Sequence, residues 1–303
     1  MSGMEDEQPL LSICIPTYNR AEYLKEAIYN IVNDDAFCDK LEIVISDNAS
    51  TDNTKEVGEE FANKYSNIHY YRNIENIKDQ NFILALQRAK GKYVRLFNDT
   101  LRLKNGILGQ FLHIISVSSE DEPLFFYQNI SFLNRNERKI LHDVSDFITE
   151  ASFFVTWIAN FGNWKKCIDA LPDPNRCSHL LLAQVDWSLG IVSKYGASVI
   201  YFGDFFQSIV PRNKGGYNLF KVFVDNYLKI IRSYKIKKIT LEREKYRLYR
   251  YHLLFWLILL KRKKKGYSFE SSNMWRILLK EYWCYPYFYL GILLSYMKMS
   301  IGK

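Results

Sequence analysis

Three short polar segments of this 303-residue chain carry groups suited to a phosphorylated ligand. The first is the turn Pro16, Thr17, Tyr18, Asn19, Arg20 that ends ICIPTYNR, and the second is Ser46 to Asp52 (SDNASTD). Amides and hydroxyls in such turns meet phosphate or ribose, and a carboxylate there accepts hydrogen bonds from a base or a sugar. Asp47, with Asn48 beside it, is the best-placed carboxylate; the competing reading makes Asp47 and Asp52 turn and cap residues. The third segment, Asn98, Asp99, Thr100, closes GKYVRLFNDT. It offers one carboxylate, one amide oxygen and one hydroxyl, hard oxygen ligands that suit magnesium or manganese. The alternatives are a strand-end Asp facing solvent and a site that works without metal. No G-x-G-x-x-G follows either of the first two runs and no G-x-x-x-x-G-K-[ST] occurs, so dinucleotide and P-loop chemistry lose their support.

The elements that must hold these turns follow from periodicity. Leu11, Ile13 and Ile15 read as a buried parallel strand stopping at Pro16. Asn19 is placed to cap a helix with Glu22 three residues on, and Tyr23, Leu24, Ala27, Ile28 and Ile31 follow at helical spacing. Leu41, Ile43, Val44 and Ile45 repeat the strand, and Val57 and Phe61 resume a helix. A third helix lies within residues 73–91, its apolar face drawn from Phe82, Leu84, Ala85, Leu86 and Ala89, and leads into the strand of GKYVRLFNDT. Strands and helices alternate, the pattern of an α/β sheet, whose ligands bind beyond the carboxyl ends of the strands.

IPTYNR, then SDNASTD, then a strand ending at Asp99 resemble the donor half of the inverting family 2 glycosyltransferases, most of all the bacterial O-antigen and capsule enzymes. The resemblance is strong over residues 10–108, weaker to about 212 and absent beyond. It implies a GT-A fold, a Rossmann-like, mostly parallel sheet flanked by helices. It also implies a nucleotide-sugar donor held by Pro16, Thr17, Tyr18, Asn19, Arg20 and Asp47, with a UDP-sugar the first expectation. Where relatives carry a D-x-D metal motif this chain has Asn98, Asp99, Thr100, so the resemblance implies Asp99 as ligand of magnesium or manganese with Asn98 in support; none of its five histidines lies in the 203–218 loop, where many relatives place a further ligand.

In such inverting, hexosyl-type transfer a carboxylate removes the proton of the acceptor hydroxyl. Leu181 to Tyr195 reads as an amphipathic helix with Leu182, Val185, Leu189 and Val192 on one face, and it resembles the family's E-D-x-x-L helix, which makes Asp186 the expected base. Trp187 either stacks on an acceptor sugar or is buried. Ala197 to Phe202 reads as a strand, followed by a loop with Arg212 and Lys214 able to close over the donor.

Charge divides the chain. Residues 1–210 hold 20 Lys or Arg against 28 Asp or Glu, a net −8, whereas residues 211–303 hold 21 against 5, a net +16. In the second part YHLLFWLILL runs straight into KRKKK (261–265), and the uncharged YWCYPYFYLGILLSYM (282–297) contains Pro286. Both are shorter than the ~20 apolar residues of a membrane span, so a monotopic, peripheral attachment to an anionic membrane surface is expected, against a buried helical bundle with solvated lysines. The basic residues do not interleave with an RNA-binding motif, which argues against nucleic acid. Met1–Gln8 is acidic and lacks signal-peptide features, and the five cysteines show no C-x-x-C spacing. Both suit the inner, cytoplasmic face of a bacterial membrane. The expected organisation is a disordered 1–9, a donor half 10–108, an acceptor half 109–212 and a helical, basic extension 213–303, acting on a lipid-linked glycan. The rivals are a nucleotidyltransferase, which would want a glycine-rich basic first turn, and a catalytically silent nucleotide-sugar-binding scaffold.

Overall fold

The computed structural model describes residues 8–128, 136–210, 214–261 and 267–301. Arg212, the side chain of Lys214, residues 1–7 and the basic residues 262–265 lie outside the described residues.

The alternation of apolar runs and amphipathic helices becomes a layered sheet. Leu11–Thr17 (β1), Ala21–Val32 (α1), Leu41–Asp47 (β2), Thr54–Lys64 (α2), Ile68–Arg72 (β3), Gln80–Arg88 (α3) and Tyr93–Leu96 (β4) follow one another. β1 pairs in parallel with β2 on one side and β4 on the other, and β3 extends β2. Every residue of β2 is buried, as expected of a strand covered on both faces. The chain builds outward from β1 to β3 and then returns to lay β4 on the other side of β1. The point of reversal lies between the carboxyl ends of β1 and β4, where an open α/β sheet makes its ligand crevice.

Two local expectations change. The capping box at Asn19 does not form, because Asn19 is left-handed (φ 52°) and turns its amide toward the second polar turn; Asp52 accepts from Ala21 N instead (3.1 Å). In α3 the buried face is Asn81, Ile83, Ala85 and Leu86, with Phe82 and Leu84 half-buried, since the sheet side of this short helix is set by the polar anchor Asn81.

The next elements are Leu101–Leu103 (β5), Ile107–Val117 (α4), Leu124–Gln128 (β6), Glu137–Leu141 (β7), Val144–Ala151 (α5), Gly162–Trp164 (β8), Lys165–Asp169 (α6), Ala183–Tyr195 (α7), Ser198–Gly203 (β9) and Phe206–Ser208 (β10). β8 joins the first sheet antiparallel to β4, so the order is β3-β2-β1-β4-β8. A second sheet, β6-β9-β7, abuts it through Tyr93 and Asn163, which both donate to Leu124 O. The expected boundary at residue 108 falls inside α4, and β8, which follows it in the chain, belongs to the first sheet.

The basic C-terminal part adds Lys214–Asn218 (β11), Tyr227–Arg232 (α8), Lys238–Arg247 (α9), Leu254–Lys261 (α10), Tyr267–Glu270 (β12), Met274–Tyr282 (α11) and Pro286–Ile301 (α12). β11 and β12 pair in parallel. Pro286 starts a helix here, a position where its missing N–H costs nothing. No helix among the described residues is long and apolar enough to cross a membrane. Glu244 of α9 is buried, accepting from Ser152 Oγ (2.7 Å) and Tyr227 OH (2.8 Å), and so ties the extension to the turn after α5. Burial pushes the Glu244 carboxyl from 4.5 up to about 7, against the pull of those two donors. The folded chain thus holds this proton more tightly than the unfolded chain, and the group's contribution falls as pH rises from 4.5 through about 7. Against Glu244→Gln, the native chain should lose about 2–3 kcal/mol of unfolding free energy between about pH 5 and pH 8, measured by urea titration; parallel curves would contradict the assignment.

Candidate donor site

The carboxyl ends of β1 and β4 meet through a single carboxylate. Asp99 is 2% exposed and accepts from Thr17 Oγ1 at Oδ2 (2.9 Å) and from Arg20 Nη1 at Oδ1 (3.0 Å). Burial pushes its carboxyl up, opposed first by the Arg20 charge and then by the hydrogen bonds from Arg20 and Thr17. Arg102 donates to the Asp99 and Leu101 carbonyls and is anchored by Glu26. Asn98 is half-buried and its carbonyl accepts from Leu101 N.

The two polar turns are stitched to one another. Asn48 N donates to Thr17 O (2.9 Å), Asn19 N to Ser50 Oγ (2.9 Å), and Thr51 N to Asn19 Oδ1 (2.7 Å). Pro16 lies opposite Ser46 in the β1–β2 register and Tyr18 is exposed. Asp47 is fully buried: Oδ1 accepts from Ser50 N (2.9 Å) and Oδ2 from Tyr70 OH (2.7 Å). Its carboxylate shapes the turn, and a nucleotide base would have to displace Ser50 or Tyr70 to reach it. Asn48 is also committed, to Asn76 and Lys78 O through Nδ2 and to Asn73 and Ile77 N through Oδ1. The structure thus gathers Pro16, Thr17, Tyr18, Asn19, Arg20, Asp47, Asn48, Asn98 and Asp99 at one end of one sheet.

Residues given no site role from the sequence complete this frame. Asn81 joins Ser46 and Asn73, and Arg88 is spent on Ser46 Oγ (2.7 Å) and Asn73 Oδ1 (2.9 Å). The asparagines at 48, 73, 76 and 81 hold the loop between β3 and α3 over the crevice end; their spacing along the chain was the available signal. In that loop burial pushes Asp79 up to about 6, against the charge of Lys78. Arg95 lies buried beneath, its guanidinium 4.5 Å from the Phe111 ring and 4.9 Å from Phe206, donating to Ala159 O (2.7 Å). It binds β4 to β10, and β10 pairs with β5 just after Asp99.

Asp186 makes none of these hydrogen bonds with the polar turns. It is buried in the first turn of α7, held by two hydrogen bonds from Arg176 and one from Tyr234 OH (2.7 Å). It opens on a separate cavity of about 430 Å³ lined by Cys167, Leu171, Pro172, Arg176, Gly190 and Lys194, with no residue of the polar turns in its wall. The reason is directional: Gln184 takes the side of α7 facing Thr156, and two residues on, the helix presents the other side. Trp187 is buried against Phe161 and donates to Pro174 O, so it packs and does not stack on a sugar.

A resident divalent cation does not fit this donor set. Both Asp99 oxygens are occupied, the neighbouring Asn98 and Thr100 are uncharged, and no cluster of three His, Cys, Asp or Glu among the described residues could hold a metal.

Residues 12–112, the stretch that builds this crevice, match the profile of Glycosyl transferase family 2. That segment is similar to the family 2 glycosyltransferases. Over 90 residues it is 47% identical to abequosyltransferase RfbV of Salmonella typhimurium, covering 29% of this chain and 27% of that one. It is 36% identical over 107 residues to a Campylobacter jejuni GalNAc(5)-diNAcBac-PP-undecaprenol beta-1,3-glucosyltransferase, covering 34% of each. The chain thus spans about a third or less of these curated relatives. In overall fold it resembles Staphylococcus aureus TarS 1–349, solved with UDP, with a TM-score of 0.56, 15% identity and 82% of this chain and 75% of that chain covered. It also resembles the mannosyltransferase PcManGT of Pyrobaculum calidifontis, solved with GDP-Man and Mn2+, with a TM-score of 0.57, 19% identity and coverages of 80% and 71%. The mostly parallel sheet flanked by helices is thus the GT-A fold.

Asp186→Asn should lower stability by about 1–2 kcal/mol, discounted because Arg176 is half exposed, while leaving nucleotide affinity unchanged. Thermal unfolding and calorimetric titration in parallel check this, and a weakened nucleotide with intact stability would contradict the placement.

Proposed function

We propose that this family 2 domain transfers one sugar, with inversion, from a nucleoside-diphosphate donor to a lipid-linked glycan at a membrane surface. The observation that carries the proposal is the stitched crevice at the β1–β4 switch point, where Thr17, Asp99 and Arg20 meet inside the segment that matches the family. The relatives support the acceptor class, since the Campylobacter enzyme is named for a PP-undecaprenol substrate. A UDP-sugar is the first donor to try, as TarS has been solved with UDP and UDP-GlcNAc.

The reaction is a single displacement. The acceptor oxygen forms a bond to the anomeric carbon as the bond to the diphosphate oxygen breaks; the electron pair leaves with the diphosphate and the acceptor proton passes to a base. The crevice turns hold the donor, and Arg20 faces the charge that develops on the leaving group. For Asp186 to act as the base, Arg176 and Tyr234 must release it. A fall in turnover of Asp186→Asn far beyond its stability loss would give it that role.

The membrane reading rests on the surface of the C-terminal helices. Trp275, Leu279, Trp283, Leu290, Leu293 and Leu294 are all between 41% and 66% exposed, on a region of net charge +16. Between α10 and α12 runs an apolar groove of about 450 Å³ with Arg250 in its wall. Aromatic and aliphatic side chains among basic ones suit a bilayer interface with anionic headgroups.

Incubation with UDP-, TDP-, GDP- and CDP-sugars and a lipid extract bearing glycan acceptors should release one nucleoside diphosphate; release from none would sink the transferase reading in favour of a silent scaffold. In flotation, the protein should rise with phosphatidylglycerol vesicles and stay behind in high salt or with phosphatidylcholine alone, and Trp283→Ser with Leu290→Ser should weaken the association. Equal behaviour on both lipids would reject an electrostatic membrane surface.

A further inference from the structure

We infer that Arg20 takes the place a divalent cation would have at this donor site, so that the diphosphate is bound and its developing charge neutralised by the guanidinium without metal. The inference rests on the reading of the crevice as a donor site and adds to it the identity of the charge that the diphosphate meets.

Three observations carry it. The first is occupancy of the only carboxylate at the strand end. Oδ1 of Asp99 accepts from Arg20 and Oδ2 from Thr17, at 3.0 and 2.9 Å. A magnesium ion would need ligand oxygens at about 2.0–2.1 Å and would displace the guanidinium while lying beside its positive charge. The second is the composition of the surrounding segment. Asn98 and Thr100 are uncharged and Leu101 is apolar and buried, so this segment supplies no second carboxylate to a doubly charged ion. Arg102, paired with Glu26, donates to the Asp99 carbonyl. The third is the reach of Arg20. Its side chain is 41% exposed against 3% for Asp99, so the guanidinium spans from the buried carboxylate to the open crevice. With Nη1 committed to Asp99, the remaining N–H donors keep the planar fork that meets phosphate oxygens in pairs.

The same contacts orient the group. Asp99 fixes one end of the guanidinium, and the backbone of Arg20 is fixed through its N–H to Thr54 Oγ1 (3.3 Å), at the start of α1. The positive charge is thus pre-positioned, where a metal would arrive with the substrate.

The test is calorimetric titration of UDP, TDP, GDP and CDP, each with its nucleoside as control, into the full chain in EDTA and again in manganese. The native protein should bind one diphosphate with the same affinity, within about twofold, in both. Arg20→Gln should weaken that diphosphate at least about tenfold, a loss of about 1.4 kcal/mol, and leave the nucleoside unchanged. Arg20→Lys should fall between, and manganese should rescue neither variant. Thermal unfolding of each variant separates loss of the fold from loss of the charge; should Arg20→Gln not fold, Arg20→Lys and the EDTA comparison decide alone. A native affinity that collapses in EDTA, or native-like diphosphate binding by Arg20→Gln, overturns the inference and leaves the donor site standing. No binding of any of the four diphosphates overturns the donor-site reading itself.

Discussion

A carboxylate taken out of water must find donors, and the end of β4 is arranged around that need. Asp99 is nearly inaccessible, and what compensates it is the hydroxyl of Thr17 and the guanidinium of Arg20, both from the turn after β1. An unpaired buried charge costs several kcal/mol, so the β1 turn and the β4 end are locked in register by electrostatics as much as by the parallel ladder. The second turn is then held to the first by Asn19, Ser50 and Thr51, and the loop after β3 to the second by the asparagine network. The crevice is a chain of dependent contacts that begins at Asp99.

The remainder of the molecule serves this arrangement from below and behind. Arg95, buried among Phe111, Phe126 and Phe206, joins β4 to the strand that runs past Asp99. On the far side of the acceptor half, α7 is clamped by Arg176 and Tyr234 on Asp186, and α9 by Ser152 and Tyr227 on Glu244. In each case a buried acid at a junction of elements is satisfied by donors from other elements. The C-terminal region lies outside the segment that matches the family profile and is joined to the core in this way.

The parallel sheet and the grouping of the donor turns were legible because they depend on local pattern: apolar runs of strand length, polar turns at their ends, helical spacing beyond. The orientation of Asp186 was not legible. A helix buried on nearly every side carries no periodic signal for which face meets the crevice, and Leu182, Val185, Leu189 and Val192 fit either side. Asp47 was found as a residue but not in its engagement, because the partner that occupies it, Tyr70, comes from another strand. The loss of ligands around Asp99 was visible in Asn98 and Thr100; that Arg20 fills the gap required the fold, since the two residues lie 79 positions apart. The family resemblance supplied a metal, and among the described residues no group of three His, Cys, Asp or Glu stands ready to hold one.

The central claim is that donor recognition is seated at the Thr17–Asp99–Arg20 junction. Hydrogen exchange of the intact protein with and without saturating nucleoside diphosphate tests it most directly, because amide protection reports position independently of turnover. Slowed exchange confined to peptides covering residues 17–20, 48–54 and 98–102 is the predicted result. Protection that leaves these peptides unchanged and appears around Asp186, or among the C-terminal helices, would contradict it.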